Sequence, residues 1–439
     1  MTKKQDHRIA FELCNRFKLD TKSVCIIVED NKEAKLLKNE LDLYLNKFEI
    51  DYFPENEILP YDHFSIPQNI LKERFRILNS EDNHNKILIS TVKNLFEIYP
   101  TIDFFKSVNR FSIGDTLSIS SLEGILSSLN YKKVNRIESI NEYSFRGGIV
   151  DIYTPIYKNP LRIEIFDDKI ESIRLFNPES QLSIETINHF NLSKGSIQSL
   201  DKNSLKIFKD NWREYFQDND ERYCEIFQKL NKNELAEGSE IYLPLFFNKT
   251  SDFFDLFKSY EFIKASNFSI LLKGYKEFID ERYSDENIDS QRPILKPSDM
   301  FTDVSLIKDK LETASLLSIS NKYEDFLYNN FDEVMDEKSI DNINVKVFLT
   351  SINSQYESLL EKYLPNVKQI NQIDNAEPGI NIMMSPVIRP LIVDNILVAH
   401  REFFTNTSEE ILHQTRHHHK VVDKDVMFKN GDLVIHENY

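Results

Sequence analysis

The chain has 439 residues, room for about three domains at roughly 100–200 residues each. Its 41% hydrophobic and 28% charged residues match ordinary globular usage and exclude a disordered chain. With 71 Asp and Glu against 54 Lys and Arg, the formal charge of −17 excludes a protein that coats nucleic acid by bulk electrostatics, so any DNA contact must be local.

The opening run MTKKQDHRIAFELCNRF places charges where a secretion signal needs its apolar stretch. No apolar window approaches the ~18 residues of a membrane span. A cytoplasmic protein without a membrane segment is expected. SVCIIVE (23–29) reads as a buried strand, followed by a helix whose stripe is Ala34, Leu37, Leu41 and Leu45. IDYF (50–53) and KILIST (86–91) add strands around a helical QNILKERFRIL, so residues 1–107 read as βα units on a parallel sheet.

Over 108–193 the pattern changes to period-2 strands with tight turns, the sign of an inserted, mostly antiparallel α+β domain. IVDIYTP (149–155) follows Gly147 and Gly148. RIEIF and KIESIRLF flank the two-residue turn Asp167-Asp168 as a hairpin, and Asn177-Pro178 closes it. Residues 194–310 hold a helical stretch with the single Trp, in DNWREYF (210–216). There IYLPLFF (241–247) and NFSILLKG (267–274) read as strands rejoining the first sheet, and 286–303 as a polar connector. A second small α/β domain spans 311–412, with strands in INVKVFLTS, GINIMMS and NILVAH around a helical QYESLLEKYL. The last block, 413–439, is a basic, His-rich linker and the start of a further module. Its adjacent His417, His418 and His419 diverge too much for a closed metal site.

Chemistry-bearing motifs are sparse. Phosphate loops need glycine for close backbone approach, and among the nine glycines no two stand five apart as G-x-x-x-x-G-K-[ST] requires. G-x-G-x-x-G is also absent, so no nucleotide cofactor is expected in this chain. Searches for zinc-protease, hydrolase, calcium-loop and Cys–His signatures find nothing, and no catalytic residue is nominated. Cys14, Cys25 and Cys224 are isolated and read as reduced, buried thiols. Asp51, Glu55, Glu57, Asp167 and Asp168 read as solvated surface or turn residues, and Asp62-His63 as a neighbour pair without function.

One strand stands out. In 162–166, Ile163 and Ile165 point one way and leave Arg162, Glu164 and Phe166 on the other face. Arginine beside an aromatic on an accessible strand is the composition of a protein-binding hot spot, although Phe166 merely covering the turn is the plainer alternative. Arg146, before the glycine pair, is a presented contact or an ordinary surface residue. Arg174 lies on the returning strand, and alternation does not settle its face.

These segments carry a resemblance. FPENEILPYDHFSIPQNILKERFRIL (53–78) with ILISTVKNLFEIYP resembles the opening domain of the bacterial transcription-repair coupling factor (Mfd) family. YSFRGGIVDIYTP and LRIEIFDDKIESIRLFNPESQ (143–181) are similar to the segment that this family shares with the excision-repair protein UvrB, the part that docks on UvrA. DNWREYF, IYLPLFF and the closing GDLVIHENY match further family stations in order. The resemblance implies an α/β multidomain fold: a degenerate RecA-like sheet domain without its phosphate loop, the inserted UvrA-binding domain, and the small α/β domain. It implies UvrA contacts at Arg146, Arg162 and Phe166, and more weakly at Arg174. It also implies a non-catalytic adaptor that recruits UvrA to stalled RNA polymerase for nucleotide excision repair. ATP, magnesium, polymerase and DNA belong, on this resemblance, to domains beyond Tyr439, the chain being a fragment or a truncated product. The alternatives are a UvrB-like helicase subunit and a scaffold without UvrA affinity.

Overall fold

The computed structural model describes residues 23–44, 48–80, 86–106, 109–198, 200–217, 221–232, 234, 236–265, 267–286, 292–312, 314–317, 345–350, 367–370, 375–384, 391–393 and 396–400. Two compact units divide them, one running through residue 320 and the other beginning at 321. The first opens with strands β1 (Val24–Val28), β2 (Glu49–Tyr52) and β3 (Lys86–Thr91), then a two-residue strand β4 (Tyr99–Pro100). All five residues of β1 are buried, which fits a central strand covered on both faces. Val24, Ile26 and Val28 pack with Ala34, Leu37 and Leu41 of the helix Asn31–Tyr44, while Cys25 and Ile27 face a larger aromatic core. Leu45, the last member of that stripe, lies outside the described residues.

After the short helix Ile102–Phe105 the chain enters a second layer of strands: β5 (Asn109–Ser112), β6 (Lys132–Lys133), β7 (Glu142–Arg146), β8 (Ile149–Tyr153), β9 (Leu161–Phe166), β10 (Lys169–Phe176), β11 (Ser183–Thr186) and β12 (His189–Leu192). Six form one sheet in the order β11-β10-β9-β8-β7-β6, antiparallel except for the β6–β7 pair. Its inner face, with Val150, Ile152, Leu161, Ile163, Ile165, Ile170 and Ile173, packs on Leu122 and Leu126 of the helix Ile119–Ser128. β5 and β12, the way in and the way out, pair with each other. That pairing places the module as an insertion with adjacent ends.

The chain then returns through β13 (Thr250–Ser251), β14 (Glu261–Ala265) and β15 (Ser315–Leu317). β14 and β15 extend the first sheet, giving five parallel strands in the order β15-β14-β1-β3-β2. Trp212 of the helix Lys202–Tyr215 is buried in the aromatic core with Phe208, Phe227 and Tyr242. Two segments expected as strands are helical. IYLPLFF falls in a 3-10 helix, Ser239–Phe246, where Pro244 removes a donor that a sheet ladder would need. NFSILLKG opens the 19-residue helix Phe268–Glu286, since its apolar run continues into a longer charged helical pattern. The 286–303 connector is not a free linker either. Ile294 and Leu295 are buried in the aromatic core, and the Thr302 N–H donates to the Phe96 carbonyl at 2.8 Å.

The second unit's described strands are β16 (Val345–Thr350), β17 (Val367–Gln369), β18 (Gly379–Met384), β19 (Leu391–Val393) and β20 (Ile396–His400). They form a sheet ordered β17-β18-β16-β20-β19, parallel except for the β19–β20 pair. The molecule is thus an α/β multidomain chain with parallel and antiparallel sheets. QYESLLEKYL, Cys14, His417–His419 and the whole of 413–439 lie outside the described residues. No helix among the described residues is long and apolar enough to cross a membrane.

Candidate functional site

The outer face of the six-stranded sheet gathers the candidate residues. Along β9 the side chains alternate, with Leu161, Ile163 and Ile165 buried and Arg162, Glu164 and Phe166 outward. Register then settles Arg174, which lies directly opposite Arg162 on β10 and shares its face. The irregularity between Ile170 and Ser172 explains why simple alternation fails there, because a bulge inserts one residue and shifts the count. On the other side, Asp151 of β8 opposes Arg162, and Ser144 of β7 opposes Asp151. Arg146 pairs with Ile149, which pairs with Glu164, so all four named residues occupy one face.

They are held differently. Arg162 donates from Nε and Nη2 to the two carboxylate oxygens of Asp151 at 2.8 and 3.0 Å, a bidentate pair whose carboxylate side is 3% exposed. Its Nη2 also donates to Gln181 Oε1 at 2.9 Å, and the guanidinium stacks on the Phe176 ring at 4.2 Å. The hydrogen bonds that Arg162 donates to the Asp151 carboxylate hold the guanidinium above its ordinary pKa, so this cation stays charged. Arg174 pairs with Glu164, whose other oxygen accepts from Ser172 Oγ at 2.7 Å. Two arginines directly opposed across strands would repel. Here each has its own carboxylate, Asp151 for Arg162 and Glu164 for Arg174, so the two cations are neutralised separately.

Phe166 is 73% exposed at the end of β9. Asp167 and Asp168 follow with φ of 50° and 54°, the twin positive angles of a tight hairpin turn whose twist suits the flanking strands. The tip is braced from behind. The Leu117 N–H donates to the Asp168 carbonyl at 2.7 Å, and the Ile170 N–H to the Asp115 carbonyl at 3.1 Å. Arg146 is exposed, and its Nη2 donates to the Asn135 carbonyl at 3.3 Å. Gly147 behind it adopts φ 63°, and a Cβ on Gly148 would lie 2.6 Å from the Ile165 carbonyl oxygen. The glycine pair is therefore what lets the β7–β8 turn lie against β9.

Asp151, Phe176 and Gln181, which set the state of Arg162, were not among the residues singled out. The available signal was an acid inside the apolar strand run IVDIY, a position where a carboxylate needs a partner. The carboxylates expected to be solvated are not all so. Asp51 pairs with Arg76, and Glu55 is buried against Lys93 at 3.0 Å. Cys25 and Cys224 are buried and not joined in a disulfide, and burial pushes the Cys25 thiol well above its usual pKa. Among the described residues no three His, Cys, Asp or Glu side chains gather as a metal site.

Comparison with known proteins bears on this face. Residues 110–196 match the model of the UvrB interaction domain. The transcription-repair-coupling factor of Haemophilus influenzae is 27% identical over 292 residues, covering 66% of this chain and 25% of that protein. Its counterpart from Rickettsia typhi is 24% identical over 451 residues, 94% of this chain and 39% of that protein. The Bacillus subtilis factor is 27% identical over 173 residues, 39% of this chain and 15% of that protein. The chain thus spans well under half the length of these relatives. It is similar to the N-terminal region of the bacterial transcription-repair-coupling factors, and the arginine and phenylalanine face lies within the residues that match the UvrB interaction domain.

Proposed function

We propose that this chain takes part in transcription-coupled repair as a non-catalytic adaptor that docks UvrA through the outer face of the six-stranded sheet. In that reading, contacts with RNA polymerase and DNA belong to other parts of a longer factor. The observation that carries it is Phe166: a large apolar side chain, 73% exposed on a braced hairpin, shares a face with Arg146, Arg162 and Arg174 inside the matched domain. Arginine and aromatics at such a spot dominate interface energetics. The five-stranded parallel sheet, in the same reading, is a motor-like fold without a nucleotide site.

Titration of purified UvrA against the chain tests the proposal. Arg146→Ala and Phe166→Ala, both at exposed positions, are expected to weaken binding by about 2 kcal/mol or more, roughly thirtyfold. Equal affinity of the wild type and both variants would refute the assignment.

A further inference from the structure

Arg162 is already occupied in the free protein. A guanidinium offers five N–H donors in a fixed fork. Nε and one Nη2 donor go to Asp151, at 2.8 and 3.0 Å. The outward edge goes to Gln181, with Nη2 donating to Oε1 at 2.9 Å and Nη1 to the backbone carbonyl at 3.4 Å. One residue therefore sets two oxygens on the edge that a carboxylate would grip in a two-point contact. The oxygens are neutral, and a carboxylate in the same seat makes hydrogen bonds roughly twice as strong.

Gln181 is placed there by a small closed loop. Its N–H donates to the Asn177 carbonyl at 2.8 Å, its Nε2 to the Pro178 carbonyl at 2.7 Å, and the Asn177 N–H to the Leu182 carbonyl at 2.9 Å. The residue sits at φ 61°, a left-handed conformation uncommon outside glycine and asparagine. Leu182 beside it is 70% exposed, so the loop stands at the surface of the face rather than in its core.

We propose that Gln181 is a built-in competitor whose two oxygens hold the seat on Arg162 that a carboxylate of the docking partner takes. This rests on the UvrA reading above. Docking then exchanges a neutral internal acceptor for a charged external one, and Gln181 tunes affinity without itself contacting the partner.

The experiment uses the full chain, purified UvrA and calorimetric titration at fixed salt. Gln181→Gly removes the side-chain acceptor and suits the positive φ, so the fold should survive, as a thermal melt will check. It is expected to tighten binding about threefold or more. Gln181→Glu supplies a competing charge and is expected to weaken binding by about tenfold. Both effects should vanish in an Arg162→Ala background. If Gln181→Gly binds as the wild type or more weakly while Arg162→Ala loses affinity, the competitor is overturned and the docking reading stands. If Arg162→Ala itself binds as the wild type, the docking role of Arg162 falls and the competitor with it.

Discussion

Arg162, 18% exposed, closes over an Asp151 carboxylate that is 3% exposed, whereas Phe166 four residues on is 73% exposed and touches solvent. Truncating the two should therefore act through different free energies. Arg162→Ala strands a buried carboxylate, and breaking a buried pair from one side costs about 3 kcal/mol. Phe166→Ala removes an exposed ring and should change stability by less than about 0.5 kcal/mol. Urea denaturation of both variants checks this, and equal midpoints would show that Asp151 does not depend on Arg162. The strand's alternation was enough to place Arg162 and Phe166 on one face. The partner Asp151 was not readable from it, because strand pairing is a long-range choice that local period does not encode.

At the level of elements, the hairpin β9–β10 and the turn β7–β8 meet at Gly148, whose carbonyl accepts from the Ile165 N–H at 2.8 Å. Gly148→Ala would press a methyl onto the Ile165 carbonyl oxygen, 2.6 Å away, and backbone can relieve that only by moving. The expected cost is about 1–3 kcal/mol, with Arg146 displaced from its face. A melting curve combined with UvrA titration tests both. An unchanged melt would show that the turn has slack. Elements with their own local signature were readable in advance: the stripe of Ala34, Leu37 and Leu41, the apolar strand at 24–28, and the Asp167-Asp168 turn. IYLPLFF and NFSILLKG were not, since a short apolar run suits a buried helix as well as a strand. Packing against the aromatic core decided between them.

For the whole molecule, the parallel sheet poses the question of nucleotide binding, because ligands of such sheets gather at the carboxyl ends of the strands. After β1 the turn carries Glu29 and Asp30, and the helix Asn31–Tyr44 begins at once. A phosphate there would need free backbone donors and a positive helix end. Instead the Glu29 N–H donates to Glu33 Oε2 and the Glu33 N–H to Asp30 Oδ1, each at 2.8 Å, so the chain's own carboxylates use those donors. Burial above all, with smaller contributions from the Glu29 and Asp30 charges, raises the pKa of Glu33. A triphosphate entering this end would meet the carboxylates of Glu29, Asp30 and Glu33. We therefore expect no saturable binding of magnesium ATP up to about 1 mM, where the binding free energy has fallen to about 4 kcal/mol, and no turnover above background with or without DNA. Calorimetric titration and a phosphate-release assay measure the two. Saturable binding or DNA-stimulated release would overturn the non-catalytic reading of the sheet while leaving the docking face, which lies on a different sheet, to its own test.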